Sequence, residues 1–154
     1  MRKFSLLAIM ISIATIALAQ KPNHHNQCSN RSAVGRYGYN CSGVAPNPFD
    51  SFATEPFAAY GMVTSDGTGQ WNGYGKVSFN GNVQPWTHNT RLDGPSVVNS
   101  DCTGNVTYVV TVGGNPVPDA HFDFVITADG AKVEGFPTDA GYAVTCHLEA
   151  ERHD

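Results

Sequence analysis

Residues 57–82 read FAAYGMVTSDGTGQWNGYGKVSFNGN, and this stretch decides the fold class. Two runs within it, 57–65 and 70–79, alternate between apolar and polar or small residues, which is typical of half-buried strands. Each run ends in a turn, Asp66-Gly67-Thr68-Gly69 or Asn80-Gly81-Asn82. Asp-Gly and Asn-Gly provide the positive φ angles that tight hairpin turns require. The stretch therefore predicts antiparallel strands joined by short hairpins.

The same pattern extends in both directions along the chain, and no helical periodicity interrupts it after the first residues. Two longer connections that contain proline, Ala45–Pro56 and Gly114–Asp119, are predicted to be loops at one end of a barrel. An all-β, antiparallel meander β-barrel follows, although a flattened two-sheet sandwich produces the same alternation. We predict about eight strands, near residues 34–44, 57–65, 70–79, 83–92, 105–113, 120–127, 131–136 and 141–149.

The composition limits the classes of partner. The chain has 154 residues, enough for one domain, with 13 acidic and 9 basic residues and a net charge of −4. An acidic chain lacks the basic surface that binds nucleic acid or an anionic membrane. A charged fraction of 14% with 16 glycines also argues against a helical bundle.

The N-terminus carries the three parts of a secretory signal peptide. Two basic residues precede an apolar run, Phe4–Ile16, and Ala17-Leu18-Ala19 ends it. The apolar run is shorter than the roughly 20 residues that span a bilayer. We predict a signal peptide over 1–19, a flexible leader over 20–33, the β-barrel domain over 34–149 and a tail over 150–154. The product is expected to be secreted, with no membrane segment after cleavage.

The four cysteines predict two disulfides. An even number in an exported chain favours disulfides, and the absence of a C-x-x-C pair argues against zinc. Three connectivities are open. We prefer Cys41–Cys146, because both lie in strand-like runs that become neighbours if a barrel closes first strand to last. Cys28–Cys102 would then tie the N-terminal segment to a turn.

Three sequons, at Asn30, Asn40 and Asn105, are candidate glycosylation sites, and their number is barely above chance. Metal binding has little support. His24 and His25 have no third ligand at a recognisable spacing, and the Asp-rich turns lack the carboxylate spacing of a calcium loop. We therefore predict no metal and no cofactor.

Four segments carry a resemblance to known proteins. Gly35–Tyr39, Ala59–Gly67, Asn99–Gly104 and His121–Ile126 resemble a group of small secreted proteins whose barrel is similar to the allene oxide cyclase or calycin-like class. The resemblance covers Val34–Leu148 and rests on turn and core residues. Allene oxide cyclases and dirigent proteins, which share that barrel type, guide reactive intermediates in an apolar cavity without a cofactor. No catalytic residue of those families matches a position here.

A cofactor-free cyclase or isomerase would need polar groups inside the barrel. His121 and Asp123 lie two residues apart on one strand face, so they are candidates for a general base and its orienting acid. Arg36 and Tyr37 are the other polar candidates, and all four must converge inside the barrel. The alternative is that His121 and Asp123 face water while the phenylalanines of the same strand face the core.

Aromatic residues are the candidate ligand contacts, since a cavity for a planar or apolar molecule needs them beside a few polar groups. A packed barrel core needs them equally. The leading hypothesis is therefore a protein that binds a small apolar or aromatic ligand, and the alternatives are the cyclase or isomerase and an extracellular interaction protein with a packed core. The candidate ligand contacts are Tyr39, Tyr60, Trp71, Trp86, Tyr108, Phe122 and Phe124.

Overall fold

The structure, a computed structural model, describes residues 27–151. The predicted signal peptide, the leader up to residue 26 and residues 152–154 lie outside the described residues. Two short 3-10 turns, Asn30–Ala33 and Ala128–Gly130, accompany the strands. The strands are β1 (Gly35–Pro46), β2 (Thr54–Ser65), β3 (Trp71–Phe79), β4 (Asn82–Thr90), β5 (Val97–Val98), β6 (Thr103–Val112), β7 (Asn115–Thr127), β8 (Lys132–Pro137) and β9 (Ala143–Ala150).

Eight of these strands form a closed antiparallel barrel, so the predicted fold is confirmed and the sandwich alternative is excluded. Neighbours in the chain pair with one another, β4 pairs with β6, and β1 pairs with β9. The short β5 only flanks the start of β6. Closure places Cys41 directly opposite Cys146 on β1 and β9, and these two cysteines form the predicted disulfide.

The start of β7 differs from the prediction. The segment Gly114–Asp119, expected to be a loop, belongs mostly to a strand that begins at Asn115. Gly113 and Gly114 both have positive φ and make a two-residue turn, so Val112 pairs directly with Asn115. The prolines in this part of β7 are tolerated because it pairs with β6 alone, and β8 joins β7 only from Phe122 onward.

The strands bury the faces that the alternation predicts. Along β3, Trp71 and Val77 are 2% and 1% exposed, whereas Tyr74 points outward and is 58% exposed. On β7, Phe124 and Ile126 are buried. The barrel interior is therefore apolar and lined by alternate residues of every strand.

Residues 28–33 of the predicted leader are attached to the barrel by a disulfide and by hydrogen bonds. The second predicted disulfide, Cys28–Cys102, is present, and the Asn30 amide bridges the carbonyl oxygen of Ser96 and the backbone N–H of Val98. Ala33 is fully buried. The covalent tether and these hydrogen bonds hold the last residues of the leader against the end of the barrel opposite the β1–β2 connection. No helix of residues 27–151 is long and apolar enough to span a membrane.

Candidate functional site: two cavities in the barrel

Two adjoining cavities lie inside the barrel. The deep cavity has a volume of about 60 Å³, and its walls come from the inward faces of β1, β2, β3, β4, β6, β7, β8 and β9. The mouth cavity, of about 210 Å³, lies at the end where the β1–β2 and β8–β9 connections meet. Both cavities have walls formed by Cys41, Trp86, Val110, Phe122 and Cys146. The closing disulfide is thus part of the cavity wall.

Most of the predicted ligand contacts meet at the deep cavity. Tyr60 does not, since it is 61% exposed on the outer face of β2. Side chains alternate between the two faces of a strand, and the neighbours Ala59 and Gly61 occupy the inward positions. Tyr60 therefore points to solvent. The other six predicted contacts are among the residues that line the deep cavity: Tyr39, Trp71, Trp86, Tyr108, Phe122 and Phe124.

A buried histidine that the sequence did not single out completes the deep cavity. His88 lies on β4, two residues from Trp86 on the same inward face, and is 5% exposed. Its ring centroid is 4.9 Å from that of Trp86, 5.3 Å from that of Tyr39 and 5.0 Å from that of Tyr108. The Trp86-Thr87-His88 alternation within a predicted strand was the signal that could have found it.

Glycines make room for the polar groups of this cluster. A Cβ added to Gly73 would overlap Nε2 and Cε1 of His88 and lie 2.9 Å from Cδ2. A Cβ on Gly61 or Gly75 would lie 2.6 or 2.5 Å from the hydroxyl oxygen of Tyr39. That hydroxyl oxygen accepts a hydrogen bond from the indole N–H of Trp86. The β2–β3 wall therefore has a notch that side chains larger than glycine would fill.

Burial keeps the cluster uncharged near neutral pH. It lowers the pKa of His88 to about 4, because the imidazolium loses its hydration. It raises the pKa of Tyr39 to about 12, although the hydrogen bond from Trp86 acts in the opposite direction. The pKa of Tyr108 is also raised, first by burial and then by the charge that Tyr39 would carry. Nδ1 of His88 is fully buried and has no hydrogen-bond partner in the structure.

The His88 environment predicts a loss of stability in mild acid. Because the folded pKa is about 4 and the ordinary value is 6.5, the unfolded chain takes up a proton first, and stability falls between pH 6.5 and pH 4. We expect this group to lower the free energy of unfolding by about 2–3 kcal/mol between pH 7.5 and pH 4.5. Tyr39 and Tyr108, which face the ring, stay protonated over this range.

Urea unfolding of the wild type and of His88→Phe at both pH values measures this effect. The variant should lose about 2–3 kcal/mol less than the wild type on acidification. An equal loss in both proteins would show that His88 does not titrate as its burial requires.

The candidate acid–base groups do not converge inside the barrel. His121 and Asp123 are exposed on the outer face of β7, as the alternative interpretation has it. His121 pairs with Asp139 instead of Asp123: Nδ1 lies 2.7 Å from one carboxylate oxygen, and the backbone N–H donates to the other. His121 and Asp123 are two residues apart on β7, so their side chains point to the same side of the strand, but His121 hydrogen-bonds with Asp139. The β8–β9 connection brings Asp139 to the His121 ring.

Arg36 and Tyr37 are also separated. The Arg36 guanidinium is outside the barrel, 3.3 Å from the Tyr74 hydroxyl and 3.5 Å from a carboxylate oxygen of Glu151. The Tyr37 hydroxyl is inside but donates to the carbonyl oxygen of Gly130 at 2.9 Å. Nothing in this arrangement favours the cyclase hypothesis with these four residues.

The three sequon asparagines differ in their exposure. Asn40 and Asn105 are exposed on the outside of the barrel, while Asn30 is half-buried and its amide is engaged in the two hydrogen bonds described above.

The metal candidates His24 and His25 lie outside the described residues. Within residues 27–151, no three His, Cys, Asp or Glu side chains come together as a metal site.

The fold and the site define a class of protein, a disulfide-closed eight-stranded barrel with an apolar interior. No family model, curated protein or solved structure matches this chain. The resemblance to allene oxide cyclase-like or calycin-like barrels stays a prediction from the quoted sequence segments.

Proposed function

We propose that this protein binds a small apolar molecule, aromatic or aliphatic, inside its barrel. The observation that carries the proposal is the pair of adjoining apolar cavities, of about 60 and 210 Å³. Packed protein interiors contain few voids larger than a water molecule. An apolar cavity of about 150 Å³ admits benzene. The mouth cavity is therefore large enough for a single ring with a short substituent.

The surroundings of the mouth cavity favour an uncharged ligand. Two carboxylates, Asp119 and Asp139, line it, but the first is paired with Arg91 and the second with His121. Phe52, in the β1–β2 connection, lines the same cavity and is 57% exposed. An apolar molecule therefore meets an apolar entrance and no unpaired carboxylate.

We place this activity outside the cell. Two disulfides in a small barrel are compatible with an extracellular protein, because such bonds persist in oxidising compartments. The predicted signal peptide supports the same location. In a host that glycosylates, exposed Asn40 and Asn105 are the acceptors we expect to be used, ahead of Asn30.

Binding can be followed through the intrinsic fluorescence of the protein, since the two tryptophans, Trp71 and Trp86, both line the deep cavity. We expect a single-ring apolar compound to change this emission saturably. Val110, which is 4% exposed and faces both cavities, has an outward-facing neighbour, Val109, which is 43% exposed. Val110→Phe should fill the space and weaken binding at least about tenfold, as expected when a ligand loses its apolar pocket.

The matched control is Val109→Phe, which adds the same volume outside the barrel and should leave binding unchanged. A panel of single-ring compounds that leaves the emission of the wild type unaltered would contradict the proposal. So would equal effects of the two substitutions. Either result would favour the interaction protein with a packed core.

A further inference from the structure

We propose that the ligand carries one hydroxyl group, which hydrogen-bonds with the imidazole of His88 in the deep cavity while the apolar body of the ligand lies in the mouth cavity. This inference rests on the proposed function and adds the chemical group by which the barrel selects its ligand. The ligand class is an apolar alcohol or phenol of about the size of a single substituted ring.

One buried nitrogen of the barrel interior lacks a hydrogen-bond partner. Nδ1 of His88 is fully buried and has no hydrogen-bond partner. Among those of residues 27–151 that are not exposed, no other fully buried side-chain nitrogen or oxygen lacks a partner. Buried polar atoms in folded proteins are nearly always hydrogen-bonded, because leaving one unpaired is unfavourable. The partner is therefore expected to come from outside the chain.

The His88 ring is held between the β2–β3 wall and the deep cavity. Nε2 and Cε1 lie against the backbone of Gly73, where a side chain of any size would overlap them. Two tyrosines face the ring, Tyr39 and Tyr108, but neither makes a hydrogen bond with Nδ1. His88 itself lines the deep cavity, so a group that enters this cavity meets the imidazole.

The chemistry of the imidazole limits the kind of ligand group that can pair with it. A neutral imidazole offers either a donor or an acceptor at Nδ1, according to its tautomer. A hydroxyl can accept or donate, so it suits both tautomers, whereas a carbonyl suits only one. A carboxylate or an ammonium group would bring an unpaired charge into an apolar cavity, which is far less favourable. A neutral hydroxyl is thus the group that the site selects.

The sizes of the cavities set the arrangement of the ligand. The deep cavity, at about 60 Å³, is too small for a ring and suits a hydroxyl head. The mouth cavity, at about 210 Å³, suits the apolar body. Trp86 and Phe122 form walls of both cavities, so they lie where head and body join.

The test compares two probes of equal size, 4-ethylphenol and 4-ethyltoluene, which differ only in hydroxyl against methyl. Their dissociation constants are measured by tryptophan fluorescence with wild-type protein, with His88→Phe and with His147→Phe. The His147 control removes an exposed histidine from the outer face of β9. We expect the preference for the phenol over the toluene to fall about tenfold in His88→Phe, as for one lost buried hydrogen bond. His147→Phe should retain the wild-type preference.

The outcomes separate this inference from the proposed function. If both probes bind and their affinity ratio is the same in the wild type and His88→Phe, the hydroxyl inference is overturned and the apolar-cavity function stands. If neither probe binds folded wild-type protein, both are overturned. Should His88→Phe fail to fold, imidazole ¹⁵N NMR of the wild type replaces it. The imidazole ¹⁵N resonances of His88 must then move with 4-ethylphenol and not with 4-ethyltoluene, and identical spectra overturn the inference.

Discussion

Replacing both cysteines of the barrel-closing disulfide, as Cys41→Ala with Cys146→Ala, is expected to lower the free energy of unfolding by about 4–5 kcal/mol. The two residues are 105 positions apart, so the disulfide removes much of the loop-closure entropy of the unfolded chain. They also face each other across the seam between β1 and β9 and line both cavities. Urea unfolding of the wild type and the double variant measures the effect.

The control is the other disulfide, removed as Cys28→Ala with Cys102→Ala. Its residues are 74 positions apart, so the effect on the unfolded chain is of similar size. The native-state effect differs, because this bond ties only the segment before β1 to the turn that precedes β6. Amide hydrogen exchange should therefore accelerate in β1 and β9 for the first pair and around residues 28–33 for the second. A loss below about 1 kcal/mol for the Cys41–Cys146 pair would contradict its role in closure.

The second large effect is expected at Gly73. Gly73→Ala should destabilise the barrel by about 3 kcal/mol, the upper part of the range for overpacking a core, because the new methyl group overlaps the His88 ring. In a His88→Ala background the ring is absent, and the same change should be nearly neutral. The coupling between the two substitutions, measured by urea unfolding of all four proteins, is then about 3 kcal/mol.

Gly94→Ala serves as the matched control for this cycle. A Cβ there meets no atom within 4 Å, and the residue does not have positive φ. Its effect should stay within about 0.5 kcal/mol, as for an ordinary surface position. If Gly73→Ala costs the same with and without His88, the glycine is required by the backbone and not by the ring.

The sequence predicted much of the fold because the relevant signals are local. Hairpin turns such as Asn80-Gly81-Asn82 and the alternation along β3 located strands that the structure contains. The disulfide pairing followed from one further assumption, that the first and last strands of a barrel are neighbours. Where a local signal was ambiguous the prediction failed: the prolines of β7 indicated a loop, although an unpaired strand edge accommodates them.

The candidate site was predicted only in part. Aromatic residues on inward faces were found from alternation, and Tyr60 was included wrongly because the parity of β2 was not applied to it. His121 and Asp123 were paired by proximity in the sequence, but the partner of His121 is Asp139, which arrives from another connection. His88 was missed because its alternation with Trp86, which indicates an inward position, was not used; its contacts with Tyr39 and Tyr108 come from strands that the local pattern does not describe.

The sequence by itself therefore determined the class of fold, the faces of most strands and the expectation of two disulfides, since turn chemistry, period-two alternation and an even cysteine count need no tertiary contacts. Which cysteines pair depended on the closure of the barrel. The tertiary structure alone decided that the barrel closes, that it leaves two cavities and that His88 lies among Tyr39, Trp86 and Tyr108. These depend on the register between strands distant in the chain, on the volume that side chains leave unfilled, and on glycines in one wall that admit rings from others.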